Sequence, residues 1–191
     1  ELHLGGLRTA LYAWLHARHT GGKFYIRIED TDRARFVPGS AERMLEQLRA
    51  CGIDWDEGPD IGGPYAPYVQ SERLAQYRVA VERLLEQENA YRCDCSSERL
   101  TALRDAQTTA KQPPRYDGHC RTRTGVPEEG SVVRFRIPDD AAHLAVFDRI
   151  HGEIRVDPKT LDDFVLLKSN GFPTYHLAHV VDDHAMETST V

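Results

Sequence analysis

Between His3 and Trp55, helical and strand periodicities alternate with glycine punctuation, and this alternation restricts the fold more than any other feature of the chain. Leu7, Leu11, Trp14 and Leu15 recur at helical spacing from Gly6 to Arg18, and Gly21-Gly22 closes that helix. Lys23 to Glu29 alternates and is rich in β-formers before breaking at Asp30-Thr31-Asp32. After Pro38-Gly39, Ser40 is expected to cap a second helix with Ala41, Met44, Leu45, Leu48 and Cys51 on its apolar face; Gly52 ends it, and a short strand follows over 53–55. A turn-helix-strand-helix-strand order implies a parallel sheet covered by helices, with ligands at the carboxyl ends of the strands. His3-Leu4-Gly5-Gly6 then reads as a nucleotide site. Paired glycines let backbone approach a ligand, the following helix aims N–H groups and its positive dipole end at the turn, and His3 adds a side-chain donor.

Beyond Gln70 the pattern changes. A helix from Ser71 carries Leu74, Tyr77, Val81, Leu84 and Leu85 on one face, followed by a cysteine-bearing segment. From Val132 the chain reads as antiparallel: Val133, Phe135 and Ile137 alternate with Arg134 and Arg136, a hairpin is expected at 150–156 around His151-Gly152, and Asn170-Gly171 signals another. His176 to Asp183 reads as a return to the first domain, making the middle region an insert. With 191 residues, 40% hydrophobic and 28% charged, the chain is long enough for a substantial core and excludes disorder. Its formal charge of -6 gives no global field for nucleic acid, although six Lys and Arg face two Asp between Arg99 and Arg123. No apolar run approaches membrane-spanning length and no basic-then-apolar leader is present, so no membrane partner is expected and the expected location is cytoplasmic. There Cys93-Asp94-Cys95 with Cys120 reads as metal ligation more readily than as a disulfide framework. The chain opens inside a motif and stops without a helix-ending signal, which reads as a fragment.

Six ordered segments resemble the glutamyl-tRNA synthetase family of the class I aminoacyl-tRNA synthetases. These are His3-Leu4-Gly5-Gly6; Arg27-Ile28-Glu29-Asp30-Thr31-Asp32; Asp54-Trp55-Asp56-Glu57-Gly58-Pro59 with Gln70-Ser71-Glu72-Arg73; Tyr116-Asp117-Gly118; Phe172-Pro173-Thr174-Tyr175-His176; and Val180-Val181-Asp182-Asp183-His184. The resemblance covers the whole chain and implies an α/β fold, a Rossmann-like parallel-sheet catalytic domain interrupted by a mixed α+β acceptor-stem-binding insert. The implied limits are 1–72 for the first part of the catalytic domain, 73–173 for the insert and 174–191 for the return. The implied function is glutamate-tRNA ligase: ATP with Mg²⁺ activates L-glutamate, and the adenylate is transferred to the 3′ end of tRNA(Glu). Such chemistry needs no covalent enzyme intermediate and rests on positioning and on charge stabilisation at phosphorus.

By the same resemblance His3 is catalytic, His3, Gly5, Gly6 and Thr9 bind ATP, and Glu29 receives the substrate ammonium. Tyr175 and His179 complete the glutamate pocket, His179 standing where relatives often carry Asn. The resemblance also implies a candidate zinc site from Cys93, Cys95 and Cys120 in the insert. Tyr116 is the first choice for fourth ligand and His119 the second, with three metal-free thiols as the alternative. Arg8 reads as a helix residue and Arg27 as a strand residue facing away from the apolar side, so neither is assigned to the substrate. Two rival readings are a glutamyl-Q tRNA(Asp) synthetase and a noncatalytic tRNA-binding fragment. The loop 56–59, the Gly62-Gly63-Pro64-Tyr65 extension and the long 107–114 segment favour the ligase over the first, and His3, Glu29 and Tyr175 favour it over the second.

Overall fold

The computed structural model describes residues 2–32, 34–35, 37–139, 144–148 and 150–191. In chain order its elements are α1 (Leu4–Thr20), α2 (Ser40–Ala50), α3 (Leu74–Glu86), β1 (Ala90–Cys93), α4 (Ser97–Thr109), β2 (Val132–Phe135), β3 (Leu144–Asp148), β4 (Gly152–Val156), β5 (Val165–Leu167) and α5 (Tyr175–Ala185). There are two compact units, Glu1–Tyr77 with Ala178–Val191, and Arg78–Leu177, so the chain changes unit within α3 and within α5.

In the first unit, α1 starts at Leu4. Gly5 and Gly6 therefore lie inside its first turn rather than in a turn before it, and neither has a positive φ. Their smallness, not their dihedral freedom, is what the site uses. The second helix also begins differently from expectation: Gly39, at φ 72°, is the N-cap and Ser40 is the first helical residue, with no side-chain cap bond. A tight turn closed by Ser40 N–H to Val37 O requires the left-handed backbone that glycine adopts most readily. α3 likewise starts at Leu74, after a single 3₁₀ turn over Gln70–Glu72.

Residues 24–28 are extended, but their pairing is divided. Along one edge, Phe24 and Ile26 bond Asp56 and Glu57, while Ile28 bonds Tyr68 and Gln70. The two resulting bridges, Tyr25 to Glu57 and Ile28 to Val69, have the expected parallel sense. Residues 58–67 loop out between these partners, so neither 23–29 nor 53–55 forms a continuous strand. The loop is closed by reciprocal Gly58–Gly62 backbone bonds. A Cβ on Gly58 would lie 3.0 Å from the Trp55 ring, whose Nε1 donates to Asp60 at 3.0 Å. The core joins Leu45, Leu48, Ile53 and Trp55 with Leu7, Trp14, Phe24 and Ile26 packed against them.

Arg18 fastens α1 to this layer, donating to Asp56 at 2.7 Å and Asp54 at 3.0 Å. The Arg18 bond holds the Asp56 carboxyl below its ordinary value against the opposing effect of burial, helped by the Phe24 N–H. A carboxylate whose folded pKa is depressed contributes stability above its unfolded pKa and loses it as pH falls through the folded one. The urea midpoint is therefore expected to drop as pH goes below about 4. Asp56→Asn should flatten that drop; an unchanged slope would remove Asp56 from the account.

In the second unit β2 lies between β1 and β5 in an antiparallel sheet. Its alternation is only half as expected: Val133 is buried, but so is Arg134. The Arg134 guanidinium lies 3.9 Å over the Tyr116 ring and donates to Asp163 O at 2.8 Å, so an aromatic face and a carbonyl take the place of solvent. The hairpin expected over 150–156 takes its incoming strand from 144–148, which pairs with 152–156, and Asp148 Oδ1 accepts from Ile150 and His151 N–H. Asn170-Gly171 does make a turn, Gly171 at φ 80°. The basic run is not a free patch. Arg99 pairs with Asp117, Arg121 with Asp139 and Asp163, and Arg123 with Asp94, while Arg115 donates to Lys159 O and Leu161 O.

Candidate active site

A cleft of ≈ 930 Å³ opens in the first unit, and His3, Gly5, Gly6, Thr9, Arg27 and Glu29 are among its walls. His3 is the N-cap of α1. Its backbone is extended, and its Nδ1 accepts from Gly6 N–H at 3.3 Å. An Nδ1 that accepts leaves the proton on Nε2, so the neutral imidazole offers an Nε2–H donor. The ring folds over Gly5, where a Cβ would sit 3.0 Å from its Cε1 and 3.1 Å from its Nδ1. A Cβ on Gly6 would come within 3.2 Å of Leu2. Thr9 donates its hydroxyl to Gly5 O at 3.1 Å, one turn back along α1.

Glu29 is reached through alternation: Tyr25, Arg27 and Glu29 share one face of the extended segment, opposite Phe24 and Ile26, which join the core. Arg27 Nη2 donates to Glu29 Oε1 at 3.2 Å, and its Nη1 donates to Asp183 at 2.8 Å and to Tyr25 at 3.2 Å. Sequence reading placed Arg27 facing away from the interior; in the structure its side chain is 9% exposed. Asp182, fully buried, accepts from Arg73, Tyr77 and Gln70 at 2.7, 2.7 and 3.0 Å. Burial and the Asp182 bond both push the Tyr77 hydroxyl pKa upward. At another wall, buried Glu57 accepts from Tyr68 and pairs with Lys23. Burial, then Glu57, raises Tyr68 to about 12.

Tyr175 and His179 are not among the walls of this cleft. Tyr175 is exposed at the start of α5 within the second unit, and His179 is half-buried farther along the helix. The residues that sequence reading missed are Arg27, Asp182 and Asp183. Their signal was present: an alternating Arg two residues before Glu29, and two adjacent acidic residues near the end of the last helix.

In the second unit the Sγ atoms of Cys93, Cys95 and Cys120 all lie within 4.8 Å of one another, two of the residues buried. The Tyr116 hydroxyl lies 3.4 Å from Cys93 Sγ and 3.5 Å from Cys95 Sγ, and accepts from Cys120 N–H at 3.0 Å. Ligands about 2.3 Å from a tetrahedral zinc lie roughly 3.8 Å apart, so the spacing and the soft donors both fit that metal. His119 is exposed, its N–H held by Asp117. Burial pushes the Cys93 thiol up, but bonds with Tyr116 and Arg134 outweigh it and hold the thiol below its ordinary value; burial raises Cys95 to about 11. Arg123 Nη1 also reaches Cys120 Sγ at 3.5 Å.

The family model for tRNA synthetases class I (E and Q), catalytic domain, matches residues 1–191. The chain is 57% identical over 189 residues to a glutamate–tRNA ligase of Dehalococcoides mccartyi, covering 99% of this chain and 39% of that protein. A glutamate–tRNA ligase of Legionella pneumophila is 47% identical over 192 residues, again at 39% of its length. A crystal structure of a glutamate tRNA ligase from Elizabethkingia meningosepticum in complex with its amino acid superposes with TM-score 0.87 at 42% identity, covering 97% of this chain and 40% of that one. The glutamate-tRNA synthetase from Elizabethkingia anophelis gives 0.88 at 42% identity, with the same coverage. The chain thus spans about two fifths of the length of these relatives. No helix among the described residues is long and apolar enough to cross a membrane. With a class I catalytic fold and a family match along its full length, the chain belongs to the tRNA synthetases class I (E and Q), matching their catalytic domain.

Proposed function

We propose that this chain is the glutamate-activating core of a cytoplasmic glutamate–tRNA ligase. The observation that carries the reading is a donor and an acceptor on the walls of one cleft: the His3 imidazole, with its Nε2–H left available, and the Glu29 carboxylate. His3, Gly5, Gly6 and Thr9 receive ATP, bound with Mg²⁺, and Glu29 receives the glutamate ammonium. The glutamate α-carboxylate attacks the α-phosphorus of ATP, forming the acyl–phosphate bond and releasing pyrophosphate. A terminal ribose hydroxyl of tRNA(Glu) then attacks the acyl carbon and releases AMP. The chain's contribution to the first step is alignment and donation to the negatively charged phosphoryl group. Tyr175 and His179 are the proposed further glutamate contacts, and the second unit is the proposed acceptor-stem-binding insert. The test is charging by the full-length ligase carrying this segment: [¹⁴C]glutamate is expected on tRNA(Glu). Transfer only to tRNA(Asp) would select a glutamyl-Q enzyme instead, and no glutamate-dependent turnover would reject both.

The same reading includes a structural zinc held by Cys93, Cys95, Cys120 and Tyr116. When bound, the metal would cross-link β1 to the 116–120 turn and so stabilise the second unit. Elemental analysis is expected to find one zinc per chain, and Cys95→Ser should lose it and weaken tRNA use while sparing ATP binding. Metal-free protein with full tRNA affinity would reject the site.

A further inference from the structure

We infer that Arg27 is a positioning residue that fixes the Glu29 carboxylate for the substrate ammonium, and that Asp183 anchors it from α5. The inference rests on the glutamate-activating reading and adds to it two residues that line the same cleft but carry no assigned role in that reading. Arg27 makes four bonds from its two terminal nitrogens, to Glu29, Asp183, Tyr25 and the Met186 sulfur. Its Nε is buried and lies 3.6 Å from Asp182 Oδ2, beyond hydrogen-bond reach. The Asp182 oxygens are already taken by Arg73, Gln70 and Tyr77. A planar guanidinium held by partners on two segments has one accessible orientation, and it passes that orientation to Glu29, which is itself 37% exposed and would otherwise sample several rotamers.

The charge count supports the same role. Glu29, Asp182 and Asp183 are three carboxylates facing two guanidiniums, Arg27 and Arg73. Within this cluster one negative charge is left over, which suits a cationic group of the ligand beside Glu29. It also excludes Arg27 as the partner of the substrate's side-chain carboxylate, because a fourth carboxylate would meet a guanidinium already saturated by anions. Lysine cannot reproduce the arrangement, since a single ammonium on a flexible stem does not present two coplanar edges.

Steady-state pyrophosphate exchange on the full-length ligase tests this with Arg27→Lys, Asp183→Asn, Glu29→Gln and the double variant Arg27→Lys/Glu29→Gln. Arg27→Lys and Asp183→Asn are each expected to raise KM for glutamate about tenfold or more while leaving KM for ATP nearly unchanged, a split that a general loss of fold would not produce. In the Glu29→Gln background, Arg27→Lys should add little, because its effect passes through Glu29. If Arg27→Lys fails to fold, Asp183→Asn alone decides. An active parent enzyme whose variants keep the parental KM for glutamate, or whose double variant shows the product of the single effects, overturns the positioning role. A parent enzyme with no glutamate-dependent exchange overturns the functional reading instead.

Discussion

His3→Ala is expected to slow glutamate-dependent pyrophosphate exchange by about 10²- to 10³-fold, the scale of removing one donor aimed at transition-state charge. The structure separates this effect from a loss of fold. The imidazole uses Nδ1 to cap α1 through Gly6 N–H, so Ala removes a helix cap as well as a donor, and the cap alone is worth about 1 kcal/mol. Asn at this position retains capping ability but does not present the imidazole donor. His3→Asn should therefore recover most of the lost stability and little of the lost rate. An unchanged exchange rate with weakened ATP binding would move His3 to a ground-state role.

Asp182→Ala is expected to cost the first unit about 3–5 kcal/mol, the range for removing one partner of a buried ion pair. Its carboxylate is fully buried, and Arg73, only 2% exposed in its side chain, would be left without its carboxylate partner. Tyr77 and Gln70 would each lose an acceptor at the same time. Tyr77→Phe is the smaller perturbation, about 1.5–3 kcal/mol, because Arg73 and Gln70 still satisfy the carboxylate. Trp14 and Trp55, the only tryptophans of the chain, both lie in the first unit, so urea unfolding followed by tryptophan fluorescence reads this unit directly. Equal losses from the two substitutions would show that Arg73 is not the partner that matters.

What could be read from the sequence were local rules, and what could not were the partners of a segment. Leu7, Leu11, Trp14 and Leu15 announced α1 because helical spacing is intrinsic to the chain, and Asn170-Gly171 announced its turn because few residues accept that backbone. The grouping of Cys93, Cys95 and Cys120 was likewise legible as soft ligands, and the structure brings all three sulfurs together with the Tyr116 hydroxyl. The divided pairing of residues 24–28 was not legible, since alternation reports which face is apolar and says nothing of which segment bonds the edge. Arg134 and Arg27 misled for one reason: an alternating arginine looks solvent-facing until the aromatic ring or the carboxylates that surround it are known. The run Arg99 to Arg123 read as loose positive charge because its acceptors, among them Asp94, Asp139 and Asp163, and the carbonyls of Lys159 and Leu161, lie outside that run.

The imidazole resting on Gly5 ties two positions into a single unit of information. A Cβ at residue 5 would stand only 3.0–3.1 Å from the ring that residue 3 carries, so the ring would have to give way to it. A sequence library that randomises position 5 alone therefore samples displaced imidazoles rather than new backbones, and one that randomises position 3 alone keeps a glycine whose reason has gone. Only joint variation of residues 3 and 5 explores alternatives that remain packed.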